Sequence, residues 1–270
     1  MTASNVSQTP SLPDTLATTV IEPTRGWASL GLRDIWEYRE LLMLLVWREI
    51  KGAYRQTALG VSWLFLRPIL NVLVLTLVFG MLVKVPSNDL PYALFSLSAL
   101  LPWGYFSNAV LRSAGSLVQN MEIISKVYFP RAIVVVSKLG AVGFTSLMEM
   151  TVAVVLLLIA GNMVLPWLPV IVLLLVLQSC LALGIGLILS VANVYFRDVG
   201  HFVGILLQMA FYSAPIVYPI ELVEQKLGAD RLWIYRLNPL VDLIEAYHHV
   251  LYDLRWPSFG WLAYVAAWAV

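Results

Sequence analysis

Charge is scarce in this chain. Asp, Glu, Lys and Arg make up 12% of its 270 residues, against roughly 25% in soluble domains. The net charge is +1, so no basic field points to nucleic acid. Cysteine is nearly absent: Cys180 is the only one and lies within an apolar run, which excludes a disulfide framework. No Gly-x-x-x-x-Gly-Lys-Ser/Thr phosphate loop occurs, so the chain does not bind ATP by that route. Nor is there a nucleophile–base set for covalent catalysis. His248 and His249 are adjacent, which sends their rings in different directions on a helix, and no metal site is expected. Met1–Leu30 is rich in Thr, Ser and Pro and has no apolar segment of the signal-peptide kind. It is expected to be a mobile tail.

Apolar side chains, in contrast, make up 60% of the total. They gather into runs long enough to cross the roughly 30 Å of a bilayer's hydrocarbon. The expected fold is an all-α integral membrane protein with six spans, over about 59–83, 92–111, 133–160, 170–194, 202–220 and 257–270. Arg67-Pro68 interrupts the first, with Arg67 placed to snorkel toward the headgroups. The sixth is incomplete: its apolar run, Phe259–Val270, has 12 residues against the roughly 20 a crossing helix needs. The natural chain is expected to continue. The chain thus divides into the tail over 1–30, an amphipathic helix over 31–57 and a membrane domain over 58–270. Lys and Arg number six up to Ala58, four from Arg112 to Lys138 and one in the turn after span four. The opposite side holds one, none and four. That excess predicts a cytoplasmic N-terminus, on the same side as the connections between spans two and three and between spans four and five.

Two segments on that side stand out. Over 33–56, a helical pitch gathers Arg33, Glu37, Glu40, Arg48, Lys51 and Arg55 into one stripe interrupted by Leu44. Ile35, Trp36, Leu41, Leu42, Leu45, Val46 and Ile50 cover the other faces, the pattern of a helix lying in the membrane interface. Between spans two and three, Asn120–Arg131 reads as one small helix. Asn120 is placed to cap it, Glu122 sits at the positive end of its dipole, Lys126 lies a turn beyond and Pro130 closes it. Ile123, Ile124, Val127, Tyr128 and Phe129 give it an apolar surface. A membrane protein displaying such a helix on one side is expected to dock it into a partner.

Within the third span, Lys138 and Glu149 lie 11 residues apart, about three turns and on one side of the helix. Charge at membrane depth marks a functional candidate. Glu149 suits ion coupling, a helix–helix contact or a polar channel wall; Lys138 suits the cytoplasmic boundary. Trp63, Phe65, Trp103, Tyr105, Phe106, Phe211 and Tyr212 are either an interfacial belt or a lining on which sugar rings stack. Together with Glu149 they form the candidate substrate path. Gly200-x-x-x-Gly204, Gly140-x-x-Gly143 and Ala182-x-x-x-Gly186 permit close helix packing. After span five, Asn238-Pro239 opens a stretch, Leu240–Leu254, that is too short and too charged to cross. It is expected to form a re-entrant pair of half-helices or an interfacial helix.

Several strings carry a family resemblance. They include Arg55-Gln56-Thr57-Ala58-Leu59-Gly60-Val61-Ser62-Trp63, Leu101-Pro102-Trp103-Gly104-Tyr105-Phe106-Ser107-Asn108 and Ile124-Ser125-Lys126-Val127-Tyr128-Phe129-Pro130-Arg131. Asn193-Val194-Tyr195-Phe196-Arg197-Asp198 and Ala214-Pro215-Ile216-Val217-Tyr218 complete the set. In this order, and over nearly everything from about residue 31, the chain resembles the permease subunit of the ABC-type (type 2) polysaccharide exporters, which move O-antigen, teichoic acid or capsular polymer. The resemblance implies a half-transporter in the bacterial inner membrane that forms a homodimer around a channel. It implies two copies of a separate nucleotide-binding subunit that uses ATP and Mg, and no cofactor on this chain. Asn120, Glu122, Ile123, Ile124, Lys126, Tyr128, Phe129 and Arg131 would then form a coupling helix seated in a cleft of that ATPase. The amphipathic helix would rim the channel entrance. The segment 238–252, with Asn238, Pro239, Glu245, Tyr247 and His248, would form the external gate.

The function expected is ATP-driven export of a lipid-linked polysaccharide, with hydrolysis on another chain. The rival readings are export of a small lipid or drug by a related ABC permease, an ion-coupled secondary transporter using Glu149 and Lys138, and a membrane-bound enzyme. The missing catalytic set disfavours the last.

Overall fold

The computed structural model describes residues 32–55, 57–84 and 91–269. The tail expected over 1–30 and the side chain of Arg33 lie outside the described residues. Every regular element among the described residues is helical. A short α1 (Leu32–Glu37) is broken at Tyr38 from α2 (Arg39–Tyr54). A 3₁₀ turn leads into α3 (Trp63–Leu75), which runs on as a π-helix over Thr76–Leu82. Then come α4 (Tyr92–Gln119), α5 (Met121–Lys126), α6 (Ala132–Ile159), α7 (Leu168–Tyr195) and α8 (Val199–Ser213). The remainder forms α9 (Ile220–Leu227), α10 (Leu232–Tyr235), α11 (Pro239–Leu251) and α12 (Phe259–Ala269).

Four helices among the described residues are long and apolar enough to cross a membrane: Gly60–Leu82, Tyr92–Gln119, Ala132–Ile159 and Leu165–Tyr195. The apolar patterns over 202–220 and 257–270 correspond to shorter helices. α8 has 15 residues and α12 has 11, a rise of roughly 22 and 16 Å. α8 ends where it does because Pro215 forces Ala214 into an extended conformation. α4 instead continues past Leu111, through Arg112 to Gln119.

α4 forms the centre of the bundle and packs against α3, α6, α7, α8 and α11. Small residues allow its closest approach to α7: a Cβ added at Gly186 would stand 2.6 Å from the Cβ of Ser113. Ala182, one turn earlier, is fully buried. This pair of small residues is therefore used within the chain, and Gly140 likewise meets Val46 of α2. A Schellman turn closes α6. Gly161 adopts φ +89°, its N–H donates to Leu158 O at 3.0 Å and the Asn162 N–H donates to Leu157 O at 2.9 Å. The Asn162 side chain then donates to the Leu251 and Tyr252 carbonyls, 3.1 Å each, at the end of α11.

The contrast between two glycines of α7 tests this packing. Gly186→Ala is expected to cost about 1–3 kcal/mol through overpacking. Gly184→Ala, with no atom within 4 Å of the new Cβ, is expected to leave stability unchanged or slightly raised. Thermal unfolding midpoints of the detergent-solubilised variants measure both, and equal midpoints would contradict the close approach of α4 and α7.

Candidate functional site

α3, α4, α6 and α8 enclose a cleft of about 390 Å³ whose lining includes Arg67, Asn71, Trp103, Asn108, Glu149 and Phe211. A narrow extension of about 50 Å³ reaches toward α2; it shares Arg67, Gly104, Asn108 and Glu149 and adds Tyr54 and Arg112. A recess of about 280 Å³ between α4 and α8 shares Trp103, Asn108 and Phe211 and adds Gln208 and Tyr212. Helical pitch explains the convergence: Arg67 and Asn71 are four apart on α3, and Gly104, Asn108 and Arg112 follow at the same spacing on α4. Gly104 keeps the wall open, since no atom lies within 4 Å of where its Cβ would stand.

The aromatic residues divide by place. The Trp103 and Phe211 rings meet edge to face at 5.8 Å, and Phe211 and Tyr212 do so at 5.2 Å. Tyr105 borders the narrow extension, with its hydroxyl 2.6 Å from Ser179 Oγ. Phe106 is buried beside Trp103. Trp63 and Phe65 are exposed on α3. None of these last three residues lines the cleft or its recesses. Aromatic rings together with the Asn71, Asn108 and Gln208 amides in one lining suit a polyhydroxylated ligand, whose ring faces stack while its hydroxyls hydrogen-bond. Burial pushes the Tyr54 phenol up from its ordinary value and the Glu149 carboxylate adds to this, while Arg67 and Arg112 pull it down.

The side of the bundle that carries α5 has its own network. Asn120 does not cap α5 with its side chain as expected. It is buried; its Nδ2 donates to Ser116 O at 2.8 Å and its Oδ1 accepts from Arg48. α5 ends at Lys126, before Pro130, because Val127 turns extended (φ −130°, ψ 132°). Phe129, expected on the docking surface, is buried instead with Leu45, Leu117 and Ile133. Glu122, Lys126, Val127, Tyr128 and Arg131 are exposed, and Ile123 and Ile124 are half-buried. On α1 and α2, Trp36, Glu37, Glu40, Met43, Leu44, Trp47 and Lys51 are exposed, as is Arg55 just after α2. Lys138 is not at an open boundary. Its side chain is 7% exposed, its Nζ lies 2.8 Å from Glu49 Oε1, and it donates to Gln119 Oε1 at 3.1 Å.

α11 is embedded rather than peripheral. Asn238 Oδ1 accepts from Leu240 N at 3.1 Å, and Pro239 fills the first helical position. Tyr247 is fully buried and donates to Gln178 Oε1 at 3.0 Å, while His248 stacks on Phe95 at 4.3 Å. Glu245 and Asp242 both hold Arg236, at 2.9 Å each, and the guanidinium sits 4.8 Å over the Trp261 ring of α12.

The profile of the ABC-2 type transporter family matches residues 40–252. The chain belongs to that family. It is 32% identical to the O-antigen export system permease protein RfbA of Myxococcus xanthus over 246 residues, 88% of this chain and 90% of the relative. A Klebsiella pneumoniae protein of the same name is 29% identical over 76% of this chain and 77% of its own length. The polysialic acid transport protein KpsM of Escherichia coli is 28% identical over 73% of this chain and 76% of its own length.

Sequence reasoning about this ABC-2 chain singled out Glu149 but passed over Asn71, Asn108, Arg112 and Gln208, and treated Arg67 as a headgroup anchor. The four-residue spacings on α3 and α4 were the available signal. Glu49 had none, because its partner lies 89 positions away. Removing one member of that pair tests its weight. Lys138→Met removes the nearer of Glu49's two cations, leaving Arg48 at 3.6 Å. It is expected to cost at most roughly 3 kcal/mol, the low end for a broken buried pair, because the Glu49 side chain also keeps 19% exposure. The double variant Glu49→Met/Lys138→Met is expected to recover most of the loss in thermal unfolding. A double variant no more stable than Lys138→Met would count against the pair.

Proposed function

We propose that this ABC-2 chain is the membrane permease of an ATP-driven exporter that carries a lipid-linked polysaccharide across the bacterial inner membrane. The observation that carries this reading is the cleft inside the bundle. Its lining combines the aromatic rings of Trp103 and Phe211 with the amides of Asn71 and Asn108, chemistry that fits sugar rings better than a purely apolar cargo. The relatives' names, O-antigen export permease and polysialic acid transport protein, agree with that ligand class. No phosphate loop of the Gly-Lys-Ser/Thr kind is present, so hydrolysis of ATP with Mg belongs to a separate nucleotide-binding subunit, two copies per transporter.

In this reading two permease chains form a homodimer with six spans each, the short α8 and α12 completing the crossing together with neighbouring segments. The exposed apolar faces of α3 and α8, including Leu73, Val74, Leu77, Phe202 and Ile205, suit lipid or the second copy. α5 is the coupling helix and meets the ATPase through Glu122, Lys126, Tyr128 and Arg131. α1 and α2 lie at the membrane interface. α11, with its Asn238-Pro239 start, is the external gate segment.

Charge reversal on α5 tests the arrangement. Both Glu122 and Lys126 are exposed, so Glu122→Lys and Lys126→Glu are expected to fold and insert. They should reduce ATP-driven glycan export about tenfold or more through lost interface contacts and weaken co-purification of the ATPase subunit. Normal export and normal co-purification in both variants would remove α5 from the coupling role.

A further inference from the structure

Arg67 and Arg112 are exposed on α3 and α4 and differ from the cations packed among the helices, Lys138 and Arg236. Lys138 has a carboxylate at 2.8 Å and Arg236 has two at 2.9 Å. Among the described residues, neither the Arg67 nor the Arg112 guanidinium makes a hydrogen bond or an ion pair within 4.0 Å. Both nevertheless border the same narrow extension of the cleft, one from α3 and one from α4. Arg67 lies seven residues into the span Gly60–Leu82, and Arg112 seven residues before the end of α4. Each is thus about 10 Å of helix rise inside the end of the bundle that carries α5. Both side chains are exposed beside the cleft, and an ionised side chain within a spanning helix faces a substrate or ion path rather than lipid. Glu149 is within electrostatic reach of Arg67 but does not touch it. Ser146 supplies a further observation: it is 2% exposed, borders the same extension, and its Oγ has no hydrogen-bond partner.

Size and donor chemistry then select the ligand. The extension, about 50 Å³, admits a group of a few water volumes and no sugar ring; the adjoining cleft, about 390 Å³, admits more. The lining also carries two carboxylates, Glu49, which Lys138 holds at 2.8 Å, and Glu149. Beside them, two guanidinium forks, a phenol and a hydroxyl around a small space match the oxygens of a phosphate or carboxylate, which Arg binds through paired N–H···O bonds. The geometry points to an oxyanion subsite: Arg67 and Arg112, flanked by Tyr54 and Ser146, hold an anionic group of the exported molecule while its sugar portion lies along Trp103 and Phe211. This rests on the polysaccharide-export reading and names the group by which the cargo is gripped. The anion has two possible sources, the phosphate that joins glycan to lipid and the carboxylates of acidic sugars.

The experiment uses the permease assembled with its ATPase subunit in nanodiscs of zwitterionic lipid. Its three binding probes are a polyprenyl diphosphate, the corresponding polyprenol and a glucuronate oligosaccharide. At least one anionic probe is expected to bind the wild type, and Arg67→Gln and Arg112→Gln are each expected to weaken it about tenfold or more. Arg67→Lys, which keeps the charge but loses the fork, is expected to lose less while keeping the wild-type unfolding midpoint. Arginine dependence confined to the diphosphate assigns the carrier phosphate; dependence confined to glucuronate assigns the sugar carboxylate. Anionic probes that bind all variants alike overturn the subsite, as does a polyprenol that binds as tightly as its diphosphate where glucuronate binding is also independent of both arginines. The broader reading fails separately, as a wild-type complex that binds the anion but drives no glycan export on ATP hydrolysis.

Discussion

One constraint organises the bundle: the bilayer's hydrocarbon offers no water, so backbone polar groups must be satisfied within the protein and buried polar side chains that find partners tie the helices together. Gln178 shows how far this organises the fold. Its amide nitrogen donates to Pro102 O at 2.6 Å and its oxygen accepts from Tyr247 at 3.0 Å. One fully buried side chain therefore joins α4, α7 and α11 at the centre of the core. Removing it would leave a phenol unsatisfied in apolar surroundings, a state dearer than the bond itself is worth. The same rule fixes the ends. Tyr92 at the start of α4 donates to Val217 O at 2.7 Å in the segment after α8, and Asn162 satisfies the last carbonyls of α11. The short helix α11 is held at both ends and in the middle, which is how a segment too short to cross can sit inside the bundle.

At the opposite end, charged side chains do the same joining. Glu49–Lys138–Gln119 ties α2 to α6 and α4, and Arg48–Asn120 ties α2 to the single residue that separates α4 from α5. α5 is therefore not a free appendage. It is continuous with the central helix through Asn120 and is bound sideways to α2, and Phe129 anchors its far side among Leu45, Leu117 and Ile133. In the proposed coupling, a displacement of α5 would act on α2 and α4 together.

Much of this architecture was legible in the residue order. Apolar run length marked α3, α4, α6 and α7, and Asn238-Pro239 marked the start of α11 to the residue. Proline chemistry was legible only in part. Pro215 shortened α8 through Ala214, a local effect the apolar pattern masked, whereas Pro130 lies beyond a helix that had already ended at Val127. Asn120 and Phe129 were misread because both were judged against the local helix alone. Their partners, Arg48 and Leu45, come from a segment more than 70 positions earlier. The cleft was half legible: period-four spacing placed Arg67 with Asn71 and Asn108 with Arg112, but nothing local shows that those two faces look at each other.

The settings of the two ionisable residues in α6 bear on mechanism. Lys138 and Glu149 share a helix face by spacing, and an ion-coupled carrier built on them would need both to exchange protons or ions along one path. The structure separates them. Lys138 is committed to Glu49 and Gln119 beneath α2, with little of its side chain exposed. Glu149 looks into the cleft with Arg67 and Asn108. Glu49 borders the same narrow extension as Glu149, but it already holds Lys138 at 2.8 Å, so the lysine is committed to that pair rather than free to relay charge. A glutamate beside uncommitted arginines and amides is well placed to help shape a polar wall. The shared helical face thus serves two tasks, holding α2 and lining the cleft. This division favours a permease driven by a separate ATPase over a carrier driven by its own buried charges.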